Sequence, residues 1–99
     1  MAFAYVYIMA SYKNGTIYTG VTRDLGARVT QHKMNYNPNA FTAELKVHRL
    51  VYWEEFDLIA EAIHREKRLK KYKRQWKINL IEKENPNWRD LDPGTGSYL

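Results

Sequence analysis

Cysteine is absent from this 99-residue sequence, and so is any long uninterrupted apolar run. Without cysteine the chain can form neither a disulfide framework nor a thiolate metal site, so we expect a reducing, cytoplasmic compartment. No stretch reaches the ~18 apolar residues of a membrane helix. The apolar start, Met1 to Ala10, lacks a basic leader and a cleavage site, which argues against a signal peptide. We therefore expect no membrane partner.

The composition favours a small nucleic-acid-binding domain. A chain of this length builds one modest core, and we place that domain at residues 1–90, with residues 91–99 as a flexible tail. The net charge of +5 suits a polyanionic partner, and the 14% aromatic content argues against a disordered basic tail. Nucleic acid therefore ranks ahead of a membrane as the expected partner, and a monomer is the expected state.

The first 22 residues, from Phe3 to Thr22, predict a β-hairpin closed by Asn14-Gly15. This pair is typical of a two-residue type I′ turn, because both central positions of that turn need positive φ. The strands then cover about Ala2 to Ser11 and Thr16 to Arg23. This register pairs Ser11 with Tyr18, Met9 with Gly20 and Tyr7 with Thr22.

Strand alternation then assigns the two faces of the hairpin. The Tyr7 and Tyr18 phenols share one face and flank Gly20, which has no side chain, so we interpret this face as the floor of a site. The other face is small and apolar and should be buried. Its residues are Ala4, Val6, Ile8, Ala10, Ile17, Thr19 and Val21.

The next elements are a helix and a third strand. Asp24 is a candidate N-cap for a helix from Leu25 to about Tyr36. Arg28 and His32 lie one turn apart on it, and both could point at the sheet. The strand predicted from Lys46 to Phe56 alternates, with Val47, Arg49, Val51 and Trp53 on one face and His48, Leu50 and Tyr52 on the other.

Glu66 is the least expected residue of the next helix. That helix should begin at Leu58 with Asp57 as its N-cap, and its apolar stripe is Ile59, Ala62, Ile63 and Leu69. Glu66 falls within about 20° of Ile59, in the middle of the stripe. A carboxylate there must be paired, hydrogen-bonded or metal-bound. Lys70, one turn later, is the partner under a purely structural interpretation.

A basic segment follows, in which residues 65–77 hold eight of the sixteen Lys and Arg residues. Such a run is most often a solvated helix face, but it also suits phosphate binding. A short last helix containing Trp76, Ile78, Leu80 and Ile81 should stop before Asn85-Pro86. The expected nucleic-acid contacts are Gly20, Lys33, Lys67, Lys70, Lys71, Lys73 and Arg74.

Each site residue taken alone has an ordinary structural explanation. Tyrosine is common in strands, and a single histidine is more often packed or exposed than catalytic. These explanations do not account for the convergence of two phenols, Arg28, His32 and Glu66, drawn from four elements, on what could be one sheet face.

These residues form a recognisable pattern. Tyr5-Val6-Tyr7 is separated by ten residues from Tyr18-Thr19-Gly20, with Arg28, His32 and Glu66 following. The pattern resembles the GIY-YIG nuclease family, most closely its small stand-alone UPF0213 or YhbQ-like members. The resemblance runs from about Tyr5 to Leu91. Tyr5 replaces the first glycine of the name motif and Thr19 replaces its isoleucine, so the departures remove no reacting group.

The resemblance implies an α+β fold with a three-stranded, mainly antiparallel sheet flanked by helices, in the order β-β-α-β-α-α. It also implies metal-dependent hydrolysis of DNA phosphodiesters, in repair or recombination. By similarity, Glu66 holds one Mg²⁺ or Mn²⁺ and Arg28 clamps phosphate oxygens. Tyr7 or Tyr18 takes a proton from water, with Tyr7 favoured, and His32 orients a tyrosine or contacts phosphate.

Two features of the function stay open at this point. Relatives often carry a targeting domain that this sequence lacks, so we expect sequence specificity to be low or borrowed from a partner protein. The alternative function is a non-catalytic module that binds nucleic acid through the basic helix and the tyrosine face.

Overall fold

The computed structural model describes residues 3–34 and 49–92. The elements are β1 (Ala4–Ala10), β2 (Ile17–Thr22), α1 (Leu25–Met34), β3 (Arg49–Phe56), α2 (Ile59–Lys70) and α3 (Arg74–Glu84). The strands form one antiparallel sheet in the order β2-β1-β3. The predicted α+β class and element order are confirmed. No helix in these two ranges is long and apolar enough to cross a membrane.

The hairpin is present, but its predicted register is wrong by two residues. Tyr7 pairs with Gly20, and Met9 pairs with Tyr18. The chain reverses over the four residues 12–15, where the Gly15 amide donates to the Tyr12 carbonyl (2.8 Å), and the Ser11 amide donates to Thr16 beyond them (3.1 Å).

The Asn14-Gly15 pair therefore does not form a type I′ turn. Asn14 alone takes a left-handed conformation, with φ 58°. Gly15 is required for close approach, since a Cβ there would lie 2.2 Å from the Ser11 Oγ. A two-residue slip keeps every side chain on its predicted face, so Tyr7 and Tyr18 still lie on the same side of the sheet.

The two sheet faces are covered by different helices. The predicted small apolar face of β1 is fully buried against α2, α3 and the segment that follows α3, with Ala62, Leu69, Ile81 and Trp88 in its core. The Thr19 hydroxyl on this face is buried and has no hydrogen-bond partner within the described ranges. α1 covers the tyrosine face through Val29 and Leu25, which pack with Tyr7, Met9 and Leu50.

The helix starts follow the predictions unevenly. Asp24 caps α1 as predicted, with its Oδ1 accepting from the Ala27 amide at 3.0 Å. The predicted end near Tyr36 lies outside the described residues. Asp57 is not the N-cap of α2, because Leu58 occupies that position without a side-chain bond. α3 ends at Glu84, before Asn85-Pro86, as predicted.

A bulge in β3 breaks the predicted alternation of that strand. The pairing with β1 shifts between Ile8, opposite Tyr52, and Met9, opposite Leu50. Val51 consequently joins the core under α3, whereas Trp53 faces the other way, directly opposite Tyr7. The predicted start of the strand at residues 46–48 lies outside the described ranges.

Residues 85–92 follow α3 and pack against the core of the domain. The buried Asn85 Nδ2 donates to the Val51 and Arg89 carbonyls (3.2 and 2.9 Å). Trp88 is the largest fully buried side chain in the described ranges. Leu91, assigned from the sequence to the tail, donates its amide to the Leu50 carbonyl (2.7 Å) and packs on the tyrosine face.

Candidate active site

The centre of the candidate site is a cluster of three rings, Tyr7, Tyr18 and His32, which we call the phenol cluster. Tyr7 is central and almost fully buried. The ring centroids of Tyr18 and His32 lie 6.3 and 5.9 Å from that of Tyr7, and 5.4 Å from each other. Strands β1 and β2 thus supply the phenols, and α1 brings the imidazole onto them.

Gly20, one of the expected nucleic-acid contacts, lies in close contact with the Tyr7 ring. A Cβ built on Gly20 would lie 2.5 Å from the Tyr7 Oη and 2.6 Å from its Cζ. The space over Gly20 is therefore filled by the Tyr7 ring and is not left open for substrate. Glycine is needed here so that the Tyr7 phenol can lie across β2 towards its edge.

The hydroxyl of Tyr7 lies 3.2 Å from the Nε2 of His32. Burial, and then the positive charge of Arg28, lower the pKa of His32. The imidazole is therefore neutral at pH 7, with one ring nitrogen free to accept a proton. In the tautomer that leaves Nε2 unprotonated, the Tyr7 hydroxyl donates to it.

The pKa of Tyr7 is raised, first by burial and then by the Tyr18 phenol next to it. The negative charge of Glu66 adds to this rise, while Arg28 opposes it. Tyr7 is consequently protonated at neutral pH. Arg28, which is exposed one helical turn before His32, is the cation that acts on both groups.

Glu66 lies on α2, whose buried residues Ala62 and Leu69 pack against the sheet face opposite the tyrosines. Its side chain is only 14% exposed, and its Oε2 lies 2.7 Å from the Nζ of Lys70, which is 54% exposed. The structural partner considered from the sequence is thus in place. Even so, the Glu66 charge acts on the Tyr7 phenol.

The number of carboxylates near Glu66 decides which metal ion the site could hold. Within residues 3–34 and 49–92, no three His, Asp or Glu side chains are grouped so that they could hold an ion. Glu66 would therefore be the one protein carboxylate in a magnesium site. This donor set fits Mg²⁺, which keeps several waters and takes further oxygens from phosphate.

The predicted phosphate-binding residues fall into distinct environments. Lys67, Lys71 and Lys73 are exposed, and the Lys73 Nζ lies 5.5 Å from the centre of the Trp76 ring. The Arg74 Nη2 donates to the Asn14 and Gly15 carbonyls (2.7 and 2.6 Å), so Arg74 ties α3 to the hairpin turn. Lys33 lies in α1, but its side chain is outside the described part of the structure.

A polar network next to Glu66 was not predicted. Arg65 makes a two-pronged ion pair with Glu54 of β3 (2.9 Å for each bond) and donates to the Tyr72 hydroxyl (3.3 Å). The Tyr52 hydroxyl also donates to Glu54. The pairing of Arg65 with Glu54 fixes α2 to β3 at the position adjacent to Glu66. The one sequence signal was an arginine seven residues before a tyrosine, which is too common to be diagnostic.

Comparison with known proteins agrees with this geometry. Residues 3–79 match the family described as "GIY-YIG catalytic domain". The UPF0213 protein of Staphylococcus saprophyticus is 38% identical over 77 residues, which is 78% of this chain and 92% of that protein. A UPF0213 protein of Staphylococcus aureus is 37% identical over 78 residues, covering 79% and 93% of the two chains. No solved structure matches at a comparable level.

Proposed function

Since this chain belongs to the GIY-YIG nuclease family, we propose that it is a metal-dependent endonuclease that hydrolyses DNA phosphodiester bonds. One observation carries the proposal. The Tyr7 hydroxyl contacts a neutral His32, within electrostatic reach of both Arg28 and Glu66. A proton acceptor, a phosphate-binding cation and a carboxylate are the groups that phosphodiester hydrolysis needs.

The proton path follows from the Tyr7–His32 contact. Tyr7 is protonated and cannot act as a base until it loses its own proton. As the attacking water gives a proton to the Tyr7 oxygen, the Tyr7 proton passes to the Nε2 of His32, and the water oxygen bonds to phosphorus. The bond from phosphorus to the leaving oxygen breaks at the same time, and that oxygen keeps the electron pair and takes a proton from solvent. Tyr18 packs against both rings and holds them in place.

Arg28 is the group suited to the phosphate. Its guanidinium is exposed, and its planar fork of donors matches two non-bridging oxygens. Its charge already favours the ionised form of Tyr7 and the neutral form of His32. The same residue therefore supports both phosphate binding and the proton path.

Glu66 would hold the Mg²⁺ or Mn²⁺. The ion pair with Lys70 places a cation beside this carboxylate, and the exposure of Lys70 leaves that side chain free to turn away. A bound divalent ion would supply positive charge to the phosphate and lower the pKa of a coordinated water. The Arg65–Glu54 pair ties the residue before Glu66 to β3.

The finer parts of the function rest on chemistry alone. Contacts to phosphate carry no sequence information, and the basic residues of α2 are suited to contacts with phosphate only. We therefore propose low intrinsic specificity, with any targeting supplied by a partner protein, and a role in DNA repair or recombination.

A non-catalytic DNA-binding module is the second candidate. The observation that favours it is the Lys70–Glu66 pair, which satisfies the carboxylate without a metal. This module would bind DNA through the same lysines and would be indifferent to divalent ions.

Incubation of the purified protein with plasmid, single-stranded and branched DNA separates the two functions. A nuclease cuts at least one substrate with Mg²⁺ or Mn²⁺ and stops when chelator is added. A binding module retards DNA in a gel equally with and without the metal and cuts none of the three. That second result, in both metals, would refute the proposed activity.

A further inference from the structure

Beside the phenol cluster lies a second aromatic group, Tyr5 and Trp53, which we call the aromatic pair. Trp53 stands directly opposite Tyr7 on β3, and Tyr5 is the next residue of β1 on the same face. The two rings are edge-to-face with centroids 6.1 Å apart. Trp53 is 39% exposed, so part of its ring is open to solvent.

Among residues 3–34 and 49–92, the aromatic pair is not part of the hydrophobic core on its face. In these ranges that core contains Tyr7, Met9, Val29 and Leu50, with Tyr18, Leu25 and Leu91 packed around it. The Tyr7 ring also leans away from the pair, over Gly20 on the opposite neighbouring strand. The pair therefore presents an exposed aromatic surface next to the proposed proton acceptor.

The charges on the two sides of Tyr7 differ in sign. Arg28 acts on Tyr7 from the α1 side, whereas exposed Glu55 stands opposite Tyr5 in the β1–β3 register and shares its face. A phosphate is attracted to the first side and repelled from the second. A strand whose phosphate contacts Arg28 would therefore present a base, rather than its backbone, to the aromatic pair.

The spacing of the pair suits an adjacent nucleotide. Alternate residues of a strand are about 6.8 Å apart, and neighbouring strands about 4.8 Å. Tyr5 and Trp53 thus both lie within about 7 Å of Tyr7 along or across the sheet. Aromatic side chains bind unpaired bases by stacking, with little sequence preference.

We propose that Tyr5 and Trp53 stack on an unpaired base flanking the scissile phosphate, so that the substrate is single-stranded or locally unpaired DNA. This inference rests on the proposed nuclease function. Bases within an intact duplex are stacked on one another and cannot reach such a surface, so a duplex would bind through phosphate contacts only.

The tryptophans make binding measurable without cleavage. Trp53 and Trp76 are exposed (39 and 51%) and lie on different elements, whereas Trp88 is buried. In chelator, an unstructured oligothymidine should quench the fluorescence of Trp76→Phe, which retains Trp53. It should quench Trp53→Phe, which retains Trp76, much less. Stronger quenching in Trp53→Phe would place the bases on α3 and overturn the proposal.

Affinity provides the second measurement. Trp53→Ala should bind the oligothymidine roughly 5- to 150-fold more weakly, the range for removal of one stacked base, and should bind a blunt duplex as wild type does. The matched control Trp76→Ala should leave the ratio of the two affinities unchanged. An unchanged oligothymidine affinity in a folded Trp53→Ala, or equal weakening on both DNAs, would contradict the inference.

These outcomes are separable from those of the nuclease assay. A protein that stacks bases on Trp53 but never cuts DNA refutes the activity and keeps the binding surface. A protein that cuts duplex and single strands equally, with no dependence on Trp53, keeps the activity and refutes the surface.

Discussion

At the scale of single residues, Glu66 is the most direct test of the metal site. We expect Glu66→Gln to abolish cleavage, because the neutral amide cannot neutralise a divalent ion. The fold should be kept, and DNA binding should be unchanged or tighter, since the carboxylate charge that is removed repels phosphate. Cleavage of plasmid in Mg²⁺ and binding in chelator measure the two effects.

Glu61→Gln is the matched control, because Glu61 is an exposed carboxylate on the same helix. It should cut DNA like wild type. Wild-type rates in Glu66→Gln would remove Glu66 from the site.

The two phenols should respond unequally to removal of their hydroxyls. Tyr7→Phe keeps the packed ring, so stability should fall by no more than the ~0.5–1.5 kcal/mol of one hydrogen bond. Its cleavage rate should fall by about 10²–10⁴-fold, the usual contribution of a general base. The rate of Tyr18→Phe should fall less. Single-turnover rates and denaturant unfolding are the measurements.

Gly20→Ala is a complementary variant for the same pair. The new Cβ would lie 2.5 Å from the Tyr7 Oη, so the phenol must move off its position beside His32. Activity should therefore fall although both hydroxyls remain. Two phenylalanine variants that cut like wild type would exclude tyrosine from the proton path.

The pH dependence of cleavage tests His32. Its folded pKa is below the ordinary value of about 6.5, so the imidazole stays a neutral acceptor below that pH. The rate should hold through pH 6.5 and decline only at lower pH. Because the unfolded chain takes up this proton first, the stability that neutral His32 contributes is present above about pH 6.5 and is lost as pH falls through the folded pKa.

His32→Asn should lower the rate and remove this acid limb of the profile. His64→Asn, at an exposed position on α2, should change neither. An acid limb that persists in His32→Asn belongs to another group, and the relay through His32 would then be wrong.

At the scale of elements, the basic surface of α2 and α3 divides into two parts. Lys67 and Lys71 are exposed, whereas Arg74 is bonded to the hairpin turn. Changing both lysines to Ala should flatten the slope of log affinity against log salt by roughly 1 for each phosphate that is no longer neutralised, with little change in stability. Arg74→Met should mainly lower the melting temperature. An unchanged slope in the lysine variant would make this run a solvated face.

The elements also show which parts of the fold the sequence could predict. The cap at Asp24 and the end of α3 were predictable because each follows from local chemistry. The hairpin register was not, because Asn14-Gly15 suits several turns and the Ser11 side chain selects the longer one by accepting from the Thr16 amide (3.0 Å).

The sequence predicted that the two phenols share one sheet face, but it did not predict which side chains they contact. A slip of two residues preserves the alternation of side chains, so Tyr7 and Tyr18 lie on the same sheet face as predicted. That the Tyr7 ring fills the space over Gly20 can be seen only in the structure. The bulge in β3 that turns Trp53 towards Tyr7 leaves no local sequence signal. The packing of α2, which carries Glu66, on the sheet face opposite the tyrosines leaves no local signal in the sequence either.

At the scale of the whole molecule, the segment after α3 contributes to the stability of the domain. The family match ends at residue 79, yet residues 85–91 supply Trp88 to one sheet face and Leu91 to the other. Trp88 holds a left-handed backbone, with φ 54°, and its Nε1 donates to Glu82 (2.7 Å). Such a conformation is costly for a bulky residue and persists only where packing enforces it.

Trp88→Ala should therefore destabilise the entire protein. Truncation of a buried tryptophan lowers the free energy of unfolding by about 3–5 kcal/mol. The whole free energy of unfolding of a domain is only ~5–15 kcal/mol. Guanidinium unfolding should show a large fall in midpoint, and tyrosine-face probes should unfold together with the far face, because Leu91 joins the segment to the phenol cluster. Trp76→Ala is the matched control and should be destabilised by no more than about 1 kcal/mol, since that ring contacts only Tyr72 and Lys73 among the aromatic and cation–π pairs of the described ranges. A midpoint for Trp88→Ala equal to that of Trp76→Ala would mean that the segment is an appendage, and that the domain is complete where the family match ends.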